Sequence, residues 1–256
     1  MMRSAPLLAA LLTAAMSRPS AADTPSDLLK RLDPTDFRTR FETRVEHQET
    51  QDGGHRDLLV PRLDYAVSKA FSLRIETPVL RYDPDTRAAS TQRGFGDLLV
   101  RGAWRVVRTP GLAVVAGSEF IFDTATEPAI GYGKHVAAPF VFAAWDVPSW
   151  QSTIFPGIQH YESVGGQAGR AHVSYTQVRL FILTRWPNRF YTGIENQFTI
   201  DYERGSRVGY TIETELGRFL DRHWAVWIRP GFALLGDRIP YVYNWNMELG
   251  LRYLFD

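Results

Sequence analysis

Charged side chains recur at every second position over long stretches of the chain. Arg38, Arg40, Glu42, Arg44 and Glu46 fall on one face of an extended segment, and Phe37, Phe41 and Val45 fall on the other. The same alternation places Arg62, Asp64, Arg74, Glu76, Asp97, Arg101, Arg105, Glu119, Arg179, Glu195, Asp201, Glu213, Glu215, Arg229, Glu248 and Arg252 on charged faces whose reverse sides are apolar. Such a set does one of two things. It lines a polar permeation path in which arginines and carboxylates orient a solute, or it forms a salt-bridged interior that closes a barrel. Within it, Arg38, Arg40 and Arg44 are expected to meet carboxylates such as Glu248 across the seam between the first and last strands.

Other chemistry has weaker support. His160, His172 and Ser174 are of the residue types a rim hydrolase uses, and His172 and Ser174 share one face, but no lipase motif surrounds them. No catalytic residue is assigned. His47 and His55 flank the acidic stretch Glu49-Thr50-Gln51-Asp52 without a diagnostic ligand spacing, so no metal is assigned. Gly94-Phe95-Gly96 lacks the strand-helix-strand context of a nucleotide loop, and no cofactor is expected.

The elements that must carry these side chains are strands. Period-two alternation runs over residues 37–46, 59–67, 71–82, 97–107, 112–123, 136–146, 152–161, 173–185, 190–203, 208–216, 224–234 and 241–255, twelve segments in all. Connections after even-numbered strands are short: 68–70, 108–110, 147–149, 187–188 and 221–222. Those after most odd-numbered strands are longer and polar or glycine-rich: 48–56, 83–94, 124–134 and 162–170, with 204–207 and 236–240 shorter. A meander with short turns at one end and long loops at the other is the layout of an outer-membrane barrel. Trp104, Trp150, Trp186, Tyr191, Trp224, Tyr241 and Tyr253 near strand ends suit the headgroup level. A soluble β-sandwich also alternates, but it needs Greek-key crossovers that this chain lacks. Pro61, Pro78, Pro139, Pro156 and Pro230 lie within the proposed strands and predict bulges or strand ends, and around Pro139 and Pro156 either face is a candidate outer face.

The chain of 256 residues is 45% hydrophobic and 22% charged, which excludes disorder, and it contains no cysteine, which excludes disulfides and thiolate metal sites. A near-balance of 29 Lys and Arg against 28 Asp and Glu offers no pull on nucleic acid. Residues 1–22 read as a cleaved signal peptide, with Arg3, an apolar run from Ala5 to Met16 and Ser20-Ala21-Ala22 before the cut. Arg3 and Arg18 leave with it, so 27 basic face 28 acidic side chains from Asp23 onward. Residues 23–35 form a leader in which 24–32 resemble a capped helical turn; it serves as a simple lead into the first strand, with lumen and periplasm both open as its place. Residues 36–256 form the barrel.

Gly94-Phe95-Gly96-Asp97-Leu98, then Asp123-Thr124-Ala125-Thr126, then Gly131-Tyr132-Gly133-Lys134 before a Pro139-containing strand, resemble the outer-membrane transporter-like family labelled meta-pathway of phenol degradation. The ending Gly250-Leu251-Arg252-Tyr253-Leu254-Phe255 is similar as well. Two departures are Thr124-Ala125-Thr126, where the family has Pro-Thr-Gly, and Asp256 after the terminal aromatic. The resemblance implies a barrel for uptake of small solutes, hydrophobic or aromatic ones included.

Together these readings predict an all-β, up-and-down antiparallel transmembrane barrel of about 12 strands, exported to the outer membrane of a Gram-negative bacterium. It would act as a monomeric passive channel. The alternative is a non-conducting barrel with a surface-binding or lipid-modifying role. Expected partners are outer-membrane lipid and lipopolysaccharide, the barrel-assembly machinery through the last strand, and an unidentified small solute. Twelve strands at ordinary spacing and tilt give a backbone radius of roughly 12 to 13 Å, so inward arginines would leave only a narrow passage.

Overall fold

A computed structural model of the chain describes residues 28, 30–84, 86, 90–236, 239 and 242–255. The signal-peptide residues 1–22, the first part of the leader, Tyr241 and Asp256 lie outside the described residues.

The alternating segments form twelve antiparallel strands: β1 (Arg40–Thr50), β2 (His55–Ala66), β3 (Phe71–Glu76 and Val79–Asp83), β4 (Gln92–Phe95 and Leu98–Thr109), β5 (Leu112–Phe122), β6 (Lys134–Val147), β7 (Ser152–Gly166), β8 (Ser174–Arg185), β9 (Phe190–Asp201), β10 (Arg207–Phe219), β11 (Trp224–Leu235) and β12 (Tyr243–Leu254). The two parts of β3 pair with β2 in one register, Arg62 opposite Glu76 and Leu59 opposite Val79, so Thr77-Pro78 interrupts a single strand. The two parts of β4 meet β3 with Leu99 opposite Glu76 and Phe95 opposite Val79, so Gly96-Asp97 inserts an extra residue. β1 pairs with β2 on one side and with β12 on the other, Arg40 opposite Leu254 and Glu46 opposite Glu248. The sheet is therefore closed, and closure gives strand backbone groups a partner without water.

The distribution of exposure is inverted relative to a soluble protein. Leu249 and Val45 are 57% and 52% exposed, whereas Glu42 and Glu215 are 3% exposed. Aliphatic residues facing outward and carboxylates facing inward are stable only where the outside is hydrocarbon. Trp104, Trp150, Trp186 and Trp224 stand outward near the short turns, and Tyr253 packs on Trp224 with ring centroids 4.7 Å apart. Tyr191 differs from its expected place: it is 1% exposed and points into the barrel.

Pro78 stands at a break in β3 opposite the residue inserted in β4, as expected, whereas Pro156 and Pro230 produce gaps rather than bulges. Pairing of β7 to β6 lapses between Trp145–Ile154 and Phe142–Gly157 around Pro156, and that of β10 to β11 lapses around Pro230, yet the register is the same on both sides. A missing N–H removes one ladder bond without adding a residue. The first long loop is shorter than its composition suggested, because β1 runs to Thr50 and Glu49 pairs with His55. His47 and His55 consequently stand on strands, with their rings stacked 5.7 Å apart.

The interior has three layers. At the short-turn end the leader enters the barrel: Leu28 and Leu32 are buried against the inward-facing Leu183, Tyr191, Phe219, Ala225, Trp227 and Leu254. At the long-loop end Ile121, Val136, Ala138, Tyr161, Val173 and Tyr175 form a second apolar cluster, joined by Leu99 and Tyr132. The charged belt lies between them.

Candidate permeation path

Alternation along each strand aims the charged residues inward, and the register brings them together. Asp64 on β2 accepts from Arg40 Nε at 2.8 Å, Arg62 Nη2 at 2.8 Å and Arg74 Nε at 2.6 Å, joining three neighbouring strands through one carboxylate. Glu42 accepts from Arg252 Nε at 2.5 Å across the β1–β12 seam, with Arg62 Nη1 at 3.5 Å. Arg229 on β11 binds Glu215, with Glu213 at 3.5 Å and Glu248 at 4.0 Å. Arg44 lies 3.4 Å from both Glu46 and Glu76 and 3.8 Å from Glu248. Each of these charges has left bulk water, and close pairing offsets a desolvation cost of several kcal/mol per ion.

Of the three arginines expected to reach across the seam towards Glu248, Arg44 does so, Arg40 turns to Asp64, and Arg38 lies ahead of β1 in a half-exposed pair with Asp36 at 2.9 Å. Arg101 and Arg179 face the interior with their nearest carboxylates, Glu119 and Glu195, at 3.7 Å. Glu119 also accepts from Gln159 Nε2 at 2.8 Å.

Three other residues of the predicted set hold backbone instead of lining a path. Asp97 accepts from the backbone N–H groups of Thr124, Ala125 and Tyr132 at 3.0, 3.0 and 2.7 Å. This explains the motif around it. A Cβ on Gly94 would meet Thr126 Oγ1 at 1.9 Å, and one on Gly131 would meet both Asp97 oxygens at 2.9 Å, so the loop 123–133 closes onto the strand only with glycine at both positions. The hydroxyls of Thr124 and Thr126 add bonds from Leu98 N at 2.8 Å and Phe95 N at 3.1 Å, which shape the loop without the proline and glycine of the resembling family. Asp201 accepts from Glu203 N at 3.0 Å and Arg204 Nη1 at 2.8 Å and fixes the turn 202–206. Arg105 donates to Thr35 O at 2.8 Å and lies over the Phe37 ring, fastening the leader to β4.

The rim residues considered for catalysis do not assemble a nucleophile. His172 sits between Glu162 at 3.2 Å and Glu203 at 3.1 Å, and His160 contacts Thr176 Oγ1 at 3.0 Å; neither bonds Ser174 among the described residues. Around His47 the contact is with Asp57 at 2.7 Å, and no metal-ligating group of three occurs among the described residues.

In the middle of the barrel remains a cavity of about 290 Å³, bounded towards the short turns by Leu32 and Pro34 of the leader. Besides charged residues it is walled by Phe140, Phe142, Phe155, Phe181 and Tyr191. Sequence reading did not place the four phenylalanines on the lumen side and put Tyr191 at the headgroup level instead. In β6 and β7 both faces are apolar, so alternation carries no direction there; the available signal was the period-two spacing of Phe140 with Phe142 and of Phe155 with Gly157 and Gln159.

A closed twelve-stranded meander with an apolar exterior, a charged interior and both ends of the described chain at the short turns defines the outer-membrane β-barrel class. Solved structures agree. The COG4313 outer membrane channel from Pseudomonas putida superposes with a TM-score of 0.65 at 13% identity, covering 88% of this chain and 100% of that one. The NanC porin gives 0.62 at 8% identity over 83% and 98%, and the KdgM porin in complex with disordered oligogalacturonate gives 0.58 at 13% over 85% and 99%. No family model and no curated protein matches the sequence.

Proposed function

We propose that the protein is a passive channel of the outer membrane for small solutes, exported by residues 1–22 and inserted with its long loops outward. The observation that carries this reading is the cavity itself: a hollow of about 290 Å³ kept open among charged and aromatic side chains inside a wall whose outer face is apolar. A barrel evolved only as a scaffold gains from filling such space, since empty volume forfeits packing contacts. The structural neighbours are channels and porins, which supports the same reading. The glycine and aspartate motif at residues 94–98 and Tyr253-Leu254-Phe255 of the last strand are the residues on which we rest kinship with the meta-pathway of phenol degradation family, and we propose that the last strand is what the barrel-assembly machinery recognises.

The test is conductance of the refolded mature protein in a planar bilayer, after a heat-modifiable gel shift shows that the barrel has formed. Small discrete steps are expected. A folded barrel that stays silent with and without residues 23–34 would favour a non-conducting surface-binding or lipid-modifying role.

A further inference from the structure

The central cavity is closed towards the long loops. On β6, β7 and β8 the inward residues that follow Phe140, Gln159 and Arg179 of the cavity wall in that direction are Ala138, Tyr161 and Gln177, then Val136 and Tyr175, and all five are buried. Across the barrel Thr199, Thr211 and Asn246 are buried in their turn. In an open mouth these are the side chains that water would reach first. On the aromatic side the cover is Tyr132. It packs against the cluster that holds Tyr161, Val173 and Tyr175, whose two tyrosine rings stack 4.3 Å apart, and its hydroxyl lies 3.4 Å from that of Tyr175. Tyr132 belongs to the connection between β5 and β6, so a loop side chain completes the layer between cavity and solvent.

Two fastenings hold this loop, and they differ in kind. Asp97 takes three of its backbone N–H groups from the barrel wall and sets its shape. Arg170 reaches over from the loop between β7 and β8, donating from Nε to Tyr132 O at 3.1 Å and from Nη2 to Gly131 O at 2.7 Å. Gly133 makes room for it: the backbone there is left-handed, with φ +65°, and a Cβ would meet Arg170 Cγ and Nε at 2.5 Å. Gln167 N adds a bond to Gly133 O at 3.0 Å, and Lys134 Nζ one to Gln167 O at 2.8 Å. Among the described residues Arg170 pairs with no carboxylate, so its charge is committed to two carbonyls whose place water can take. Such loop-to-loop bonds open at a lower free energy than the strand ladders beneath them.

We infer that the loop 123–133 is the outer gate of the cavity, with Tyr132 its closing side chain and Arg170 the latch that holds it shut. The gate gives Gly131-Tyr132-Gly133 a task. The glycine on one side of Tyr132 admits Asp97 and the glycine on the other admits Arg170, so the same backbone is shaped by the wall and released by the neighbouring loop. Release requires two bonds from one side chain to break, while the strands that carry Tyr161 and Tyr175 stay paired. The assignment rests on the channel reading for what passes, not for whether the gate opens.

The chain has no cysteine, so a single one placed in the cavity reports access to it alone. Phe181→Cys puts a thiol on the cavity wall, and Lys69→Cys, on an exposed short turn, gives the unhindered rate. In the refolded full-length mature barrel in detergent, a charged methanethiosulfonate is expected to label Phe181→Cys about tenfold or more slowly than Lys69→Cys. Adding Arg170→Gln is expected to speed labelling of Phe181→Cys about tenfold or more, because two bonds from a charged donor leave the closed state. Tyr132→Ala keeps the backbone carbonyl that Arg170 binds, removes the closing ring, and should speed labelling as well; it decides the matter if Arg170→Gln does not fold. Gln51→Ala is the control, since Gln51 accepts a rim bond from Ile239 N at 3.0 Å on the opposite arc, and it should change the rate less than about twofold. The heat-modifiable shift reports folding throughout. Phe181→Cys labelling as fast as Lys69→Cys overturns the closure. A folded Arg170→Gln within about twofold of its parent overturns the latch, a folded Tyr132→Ala within about twofold overturns the gate, and Gln51→Ala acting as strongly as Arg170→Gln overturns the choice of this loop. Conductance, measured separately, keeps the two proposals apart: a silent barrel whose cavity labels faster without Arg170 loses the channel and keeps the gate, and a conducting barrel whose labelling ignores Arg170 does the reverse.

Discussion

Replacing Asp64 with asparagine should cost far more than its size suggests. The carboxylate receives three charge-assisted bonds, from Arg40 at 2.8 Å, Arg62 at 2.8 Å and Arg74 at 2.6 Å, and its side chain is only 12% exposed. At about 1.5 to 3 kcal/mol each, those bonds set an upper bound of roughly 5 to 9 kcal/mol. Arg62 keeps Glu42 at 3.5 Å, and water in the cavity rehydrates part of the freed charge, which brings the expected loss to about 3 to 5 kcal/mol, the range for breaking a buried pair from one side. The matched control is Asp36→Asn. Its pair with Arg38 is as short, 2.9 Å, but the two side chains are 32% and 40% exposed, and the expected cost is under about 1 kcal/mol. Urea titration of the refolded barrel in lipid, followed by loss of the heat-modifiable band, measures both. If Asp64→Asn stays within about 1 kcal/mol of the parent, or the two changes cost the same, burial is not what gives the belt its energy and the reasoning fails.

Three further outcomes follow from the same geometry. Deleting residues 23–34 removes Leu28 and Leu32 from the short-turn end of the lumen and should raise single-channel conductance; an unchanged step size would show that the leader does not limit passage. Asp33 in that leader is pushed above its ordinary value of 3.8 by burial, against the opposing bonds from Thr35. Because the docked state then holds the proton more tightly than the free state, docking is strongest below the free value and weakens as pH rises through the raised one, so protease sensitivity of the leader should increase with pH and Asp33→Asn should abolish the dependence. Asp97→Ala strips three backbone N–H groups of their acceptor, and limited proteolysis should then cut within residues 123–133 while the barrel keeps its heat-modifiable shift.

Alternation is a local property, and local chemistry was enough to read much of this protein. Twelve strands, the short and long connections, and the inward aim of Glu42, Asp64, Arg74, Glu215 and Arg252 all follow from side chains two residues apart pointing the same way. Legibility failed wherever the signal needed a partner distant in sequence. In β6 and β7 both faces are apolar, so the inward Phe140 and Phe155 became distinguishable from the lipid-facing Val141 and Ile158 only when the closed sheet assigned an inside. Asp97 and Asp201 sit at charged positions like any other, yet they serve backbone N–H groups because the neighbouring loops fold onto them.

The sequence by itself determined the strands of the barrel and, wherever charged and apolar residues alternate, which face of a strand is which, because a strand's period of two sends neighbouring side chains to opposite faces. Only the tertiary structure decided which charge meets which, that the leader enters the lumen through Leu28 and Leu32, and that Arg101 and Arg179 remain without a bonded carboxylate. The reason is physical: pairing depends on the register of strands as far apart as β1 and β12, where a shift of one residue would exchange every inward side chain for its outward neighbour.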